Sequence, residues 1–203
     1  MVPAAAEDAL AQRKRAVRRK VIAARDALPE SSRQLDSELI HEHLLACEET
    51  GQAQAVLAYV SMGSEVRTGT FLRYILQQGK RLALPRVNRA KRCLDLFWVR
   101  DLLLDLEPGT WGILEPQPKR CEAVTDTRLI DVVLVPGVAF TPACERMGYG
   151  GGFYDKLLGG WQGERQIIAG AFDLQIVEDI PTGPMDVGVD RIVTPTRRFL
   201  RQS

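Results

Sequence analysis

Asp131-Val132-Val133-Leu134-Val135-Pro136-Gly137 is the stretch on which the fold class turns. Its apolar run is too short for a helix, rich in β-branched side chains, and stopped by Pro136-Gly137. A strand with no polar alternation has both faces buried, as in a parallel sheet covered on both sides. Upstream, Ala55-Val56-Leu57-Ala58-Tyr59-Val60 is a second run of this kind. Arg81-Leu82-Ala83-Leu84-Pro85 and the segments 94–99, 167–171 and 191–193 supply further strands. Between them the period changes. Leu10, Val17, Val21 and Leu28 recur at helical spacing until Pro29 ends the run. Further helices are predicted over 32–49, stopped near Gly51, and over 70–78, ended by Gly79. Strands alternating with helices predict a three-layer α/β/α domain with a mostly parallel sheet and N-terminal helices packed on it. One domain is expected over residues 1–203, with residues 1–10 disordered.

Composition narrows the function classes. The 203 residues suit one domain that buries about 70% of its unfolded surface. The formal charge of +1 gives no bulk attraction to nucleic acid or membranes. No apolar run approaches membrane-spanning length. Cys47, Cys93, Cys121 and Cys144 stand at no metal or redox spacing, and no secretory signal precedes them. The expectation is a reduced, cytoplasmic monomer with no nucleic-acid partner.

The chemistry concentrates in Arg146-Met147-Gly148-Tyr149-Gly150-Gly151-Gly152-Phe153-Tyr154-Asp155, with four glycines in positions 148–152. Glycines let main-chain amides approach a ligand, and a helix start just after them adds unpaired N–H donors. It is neither a Walker A loop nor a dinucleotide fingerprint, because no Gly-Lys-Ser/Thr closes it and Phe153 replaces the third glycine. The glycines alone leave a flexible hairpin open. Arg146 and Asp155 favour an anion site, since one can pair with phosphate and the other can hold its magnesium.

The first helix carries Arg13, Lys14, Arg15, Arg18, Arg19, Lys20 and Arg25. Lys14, Arg18 and Arg25 fall beside its apolar stripe and could line a cleft. The alternative is a solvated cationic face. Glu65 lies just beyond the strand at 55–60, where open α/β sheets bind ligands. Asp186, in Pro184-Met185-Asp186-Val187-Gly188, is a second possible metal ligand. Trp111 could stack on a flat ligand. His41 and His43 face different sides of their helix, and no catalytic triad is visible.

Together these residues resemble the 5-formyltetrahydrofolate cyclo-ligase family, also called methenyltetrahydrofolate synthetases. The resemblance covers about 14–194 and is most specific at 146–155. Lys14 with Arg18, Tyr59-Val60-Ser61 through Glu65, Trp111-Gly112-Ile113 through Pro116, Val135-Pro136-Gly137 and Met185-Asp186 also match. It implies ATP binding by Lys14, Arg18, Arg146, Met147, Gly148, Tyr149, Gly150, Gly151, Gly152, Phe153 and Tyr154. It implies folate binding by Val60, Glu65, Trp111, Tyr149, Gly150, Gly151 and Gly152. Magnesium falls to Asp155 and Asp186, and catalysis to Arg146, Lys14 and Asp155. The family reaction it implies converts 5-formyltetrahydrofolate and ATP into 5,10-methenyltetrahydrofolate, ADP and phosphate through an imidate phosphate. Two departures stand out: some relatives carry arginine at Tyr149 and lysine at Gly151, and many bacterial ones carry histidine at Met185.

Overall fold

In a computed structural model, which describes residues 4–202, the run quoted above forms a central strand whose residues are all buried. In chain order the helices are α1 (Ala4–Asp26), α2 (Glu30–Leu45), α3 (Glu48–Gln52), α4 (Gly69–Gln77) and α5 (Phe153–Gly159). The strands are β1 (Ala55–Leu57), β2 (Arg81–Asn88), β3 (Cys93–Val99), β4 (Leu106–Pro108), β5 (Leu114–Pro116) and β6 (Glu122–Ala123). They continue with β7 (Val132–Leu134), β8 (Ala139–Phe140), β9 (Arg146–Met147), β10 (Gln166–Gly170), β11 (Arg191–Val193) and β12 (Arg198–Leu200). The main sheet runs β12-β11-β10-β7-β1-β2-β3-β6. The inner strands β11, β10, β7, β1 and β2 pair in parallel, while β12, β3 and β6 add antiparallel edges. Two small hairpins, β4-β5 and β8-β9, stand apart from it.

Successive strand residues point to opposite faces. Val56, Leu82, Leu84, Leu134 and Ile168 meet Ile40 and Leu44 of α2 and Phe71 and Ile75 of α4. Ala55, Leu57, Val133, Ile167 and Ala169 face the other way, toward Leu158 of α5, Phe140 and Val189. The predicted three layers are therefore present. The first helix departs from expectation, because its stripe meets the β8-β9 hairpin rather than the sheet. Val17 and Val21 rest on Val138, Ala139, Met147 and Ile180. α1 begins at Ala4, taking in much of the segment expected to be disordered; alanines 4–6 have the highest helix propensity.

Two other boundaries differ for local reasons. The helix predicted over 32–49 breaks at Cys47, which is extended (ψ 134°), and restarts as α3. Lys80 Nζ then donates to the carbonyls of Thr50 (2.9 Å), Gly51 (2.6 Å) and Ala53 (2.6 Å), closing the end of α3. β2 runs past Pro85 to Asn88. Its pairing with β1 stops at Ala83, so the missing N–H of Pro85 costs no ladder bond on that side.

Candidate active site

A cleft of about 370 Å³ opens where β1 and β7 end at their carboxyl edges. Tyr59 and Val60 follow β1 into its wall, and Pro136 follows β7. Val87 and Leu94 come from the β2-β3 hairpin, and Trp111, Ile113 and Leu114 form the rim beside β4-β5. Such a cleft has the usual character of a small-molecule site: mostly apolar, with a few convergent polar groups. Trp111 is 64% exposed at the mouth. Its backbone is left-handed (φ 58°), which costs about 1–3 kcal/mol, and its ring stands edge-on to Phe153 at 6.1 Å.

Glu65 is 6% exposed on the cleft wall. Burial pushes its carboxyl above the ordinary value, while the Tyr149 hydroxyl, the Met62 N–H and Arg25 oppose the shift. The Met62 N–H donates to Oε2 at 2.8 Å. Tyr154 also lines the cleft, with a buried hydroxyl that has no partner among the described residues. Burial, with Glu65 nearby, raises its pKa.

The glycine segment joins β9 to α5 and forms another wall. Gly150 (φ 103°) and Gly152 (φ 67°) take conformations that side chains avoid, and Gly152 caps α5. The first bond of that helix is Lys156 N–H to Gly152 O at 3.0 Å, so the N–H groups before it lack intrahelical partners. Arg146 is only 3% exposed. Its Nη2 donates to Asp155 Oδ1 at 2.5 Å, Nε to Val187 O at 3.2 Å and Nη1 to Pro136 O at 3.4 Å. Asp155 Oδ1 also accepts from Val187 N–H at 3.1 Å. Burial lowers the pKa of Arg146, with Asp155 opposing it.

α1 supplies the third side. Lys14 Nζ pairs with Asp186 Oδ2, which also accepts the Gly183 N–H at 2.6 Å. One turn on, Arg18 Nε donates to Gly148 O at 2.7 Å. Burial lowers the pKa of Arg18, against the pull of Asp186 and Asp155. Arg25, two further turns along, is buried against Ser64 and Tyr149. Arg13, Arg15, Arg19 and Lys20 are exposed. The cationic helix thus divides: one face is solvated, and the other is docked on the glycine segment and Asp186.

The residues read from the sequence therefore converge with few exceptions. Val60, Glu65, Trp111, Gly148, Tyr149, Gly151, Gly152, Phe153, Tyr154, Arg146 and Asp155 all border the cleft. Gly150 lies under the Arg18 guanidinium, on the α1 side of the loop. The Met147 side chain is 3% exposed and packs against Val21 of α1, so only its main chain can serve a ligand. Met185 is 75% exposed and has no place in the cluster. Arg25, placed beside the stripe as a cleft-edge cation, turns out to bind Ser64 and Tyr149, and Tyr59, Val87, Leu94, Ile113 and Leu114 join the lining without having been assigned a role. The adjacency of Ile113 and Leu114 to Trp111 was the available signal.

The donor set suits a magnesium ion that shares its ligands with phosphate. Asp155 and Asp186 each engage cations through one oxygen. Among the described residues no protein donor reaches Asp155 Oδ2 or Asp186 Oδ1. Magnesium is commonly held by one or two carboxylates plus substrate phosphates, and two are present here. Among the described residues no group of three or more His, Cys, Asp or Glu side chains forms an all-protein cage.

Fold and site together define an α/β enzyme in which one glycine-rich loop lies between the α1 cations, with Asp186, and an apolar cleft that Arg146 and Asp155 also border. The family model described as "5-formyltetrahydrofolate cyclo-ligase family" matches residues 10–195, and the chain belongs to that family. It is 33% identical to the 5-formyltetrahydrofolate cyclo-ligase of Mycolicibacterium smegmatis, over 85% of this chain and 89% of that one. The structure of Aquifex aeolicus 5,10-methenyltetrahydrofolate synthetase matches with a TM-score of 0.82 and 30% identity, covering 94% of this chain and 93% of that one. A Mycoplasma pneumoniae synthetase, at 21% identity, shares the fold with a TM-score of 0.71, over 90% of this chain and 98% of that one.

Proposed function

We propose that the chain converts 5-formyltetrahydrofolate and ATP into 5,10-methenyltetrahydrofolate, ADP and phosphate, with magnesium as cofactor. The observation that carries this reading is the shared wall: Gly148, Tyr149, Gly151 and Gly152 border the apolar cleft, while Gly148 and Gly150 meet Arg18 on the α1 side. A folate in the cleft and a triphosphate under α1 would meet across that loop. Val60, Glu65 and Trp111 would hold the folate, with Glu65 at its polar pterin edge. Lys14, Arg18 and Arg146 would face phosphate oxygens. Tyr149, Gly150, Gly151 and Gly152 would touch both substrates.

In the first step the formyl oxygen attacks the γ-phosphorus, the bond to ADP breaks, and an imidate phosphate forms on the folate. The neighbouring folate nitrogen then attacks the formyl carbon, the carbon–oxygen bond breaks, and phosphate leaves as that nitrogen loses its proton. The folate brings its own nucleophile, so the protein's role is orientation and charge stabilisation. Asp155 and Asp186 would hold the magnesium ion, which supplies neutralising charge for the phosphate oxygens. Arg146 is already clamped by Asp155, Val187 and Pro136, so it arrives oriented. A reduced cytoplasmic setting fits four free cysteines, and no helix among the described residues is long and apolar enough to cross a membrane. A monomer is expected.

The test is the appearance of methenyltetrahydrofolate absorbance with purified protein, with each of ATP and magnesium omitted in turn. The expected outcome is product only when both are present. ATP consumption without the folate product would point to another acceptor for the phosphoryl group.

A further inference from the structure

Arg25 has no place in the phosphate cluster, yet it is 4% exposed near the far end of α1. A buried guanidinium is costly without partners, and its partners here lead to the cleft. Nε donates to Ser64 Oγ at 3.0 Å, and Nη2 donates to the Tyr149 hydroxyl at 2.7 Å. The same guanidinium lies 5.7 Å from the centre of the Tyr149 ring. Ser64 Oγ in turn donates to Asp26 of α1. Tyr149 and Glu65 line the same cleft, and the Tyr149 hydroxyl works against the rise that burial imposes on the Glu65 carboxyl. Tyr149 is 41% exposed, so packing alone does not hold its ring against the cleft. The contact with Arg25 does.

We propose that Arg25 is a positioning residue for the folate: through the Tyr149 hydroxyl it fixes the glycine loop and Glu65 relative to α1. The N-terminal helix would then govern both substrates, the nucleotide through Lys14 and Arg18 and the folate through Arg25. This inference rests on the folate reading of the cleft.

The experiment compares steady-state kinetics of wild type, Tyr149→Phe, Arg25→Met, Arg25→Lys and the Tyr149→Phe/Arg25→Met double variant. Arg19→Met, an exposed cation of the same helix, is the control. Removing one charge-assisted bond from a buried chain should raise KM for 5-formyltetrahydrofolate about tenfold in Tyr149→Phe and in Arg25→Met. In Arg25→Met, a change outside the phosphate cluster, KM for ATP should stay within about twofold, and the double variant should be no worse than the poorer single one, because both changes break one chain. Arg25→Lys should recover some of the loss. Tyr149→Phe is nearly isosteric, so it keeps the test decisive should Arg25→Met fold poorly. An unchanged folate KM in Tyr149→Phe, equal rises in both Michaelis constants in Arg25→Met, or additive losses would each overturn the proposal. A wild-type protein that neither binds nor converts the folate would instead remove the underlying reading, and the inference with it.

Discussion

Asp155→Ala and Asp155→Asn should separate the structural duty of one carboxylate from its catalytic duty. In the free protein Asp155 Oδ1 balances an Arg146 guanidinium that is only 3% exposed, at 2.5 Å, and accepts the Val187 N–H at 3.1 Å. Breaking a fully buried pair by removing one partner costs about 3–5 kcal/mol. The Asp155 side chain is 20% exposed, so about 2–4 kcal/mol is the fair range for alanine here. For a chain of this length that is a fall in melting temperature of roughly 4–16 °C. Asparagine keeps a neutral acceptor for both donors and should lose about 1–2 kcal/mol, or roughly 2–8 °C. Catalysis should not follow that order. Both variants remove the charged ligand proposed for magnesium, so both should lose turnover by at least about 100-fold. The assay pairs thermal melts with methenyltetrahydrofolate formation. Ligand at 100 times its Kd stabilises the native state by about 2.7 kcal/mol, so Mg-ATP should raise the wild-type midpoint by roughly 5–11 °C. In Asp155→Asn, ATP with magnesium should give no larger rise than ATP without it. A folded Asp155→Asn protein with turnover within about threefold of wild type and an unaltered Mg-ATP rise would refute the assignment.

Lys14→Ala, which removes the partner of Asp186, should raise the apparent KM for ATP about tenfold and leave that for folate alone; a constant KM for ATP in initial-rate kinetics would leave Lys14 only its structural pairing with Asp186. Glu65 carries a pH signature, because burial holds its carboxyl above 4.5 in the native state. As pH rises from about 4.5, the unfolded chain releases this proton first, so native stability falls up to the raised value and stays lower beyond it. Glu65→Gln should abolish that loss, giving a flatter profile of melting temperature against pH, and an unchanged profile would contradict the burial argument. Tyr154, which the resemblance assigned to ATP, lines the apolar cleft with a hydroxyl that has no partner among the described residues; in Tyr154→Phe stability should hold or rise while folate affinity drops by about 1–2 kcal/mol. A loss of stability with unchanged titration by folate would show that the hydroxyl serves the core instead.

Much of the sheet was legible because buried parallel strands declare themselves as unbroken apolar runs, as at 55–57 and 132–134. What pattern could not give was where such a run stops. By pattern β2 ends at Pro85, since the side of that residue left open by the short β1 is a fact of tertiary pairing. Helical spacing likewise continues through Cys47, whose break is closed by Lys80, 30 residues beyond the Thr50 carbonyl it caps. The glycine loop was plain from composition, and the division of the α1 cations followed from helical spacing. The partners of Arg25 escaped the reading, because Ser64 and Tyr149 are distant in sequence and ordinary in type. The packing of Met147 was equally hidden, because a two-residue strand such as β9 sets side-chain direction without leaving a period to read.

The three tryptophans sit in unlike surroundings: Trp98 is buried beneath Arg81, Trp161 is partly buried beside Arg165, and Trp111 is open at the cleft mouth. The protein therefore contains its own optical reporter. Excited at the red edge, emission should come mainly from the solvated indole at 111, and a ligand settling against that ring should dim it and shift it to shorter wavelength. Trp111→Phe would silence the signal while Trp98 and Trp161 kept reporting on the integrity of the core.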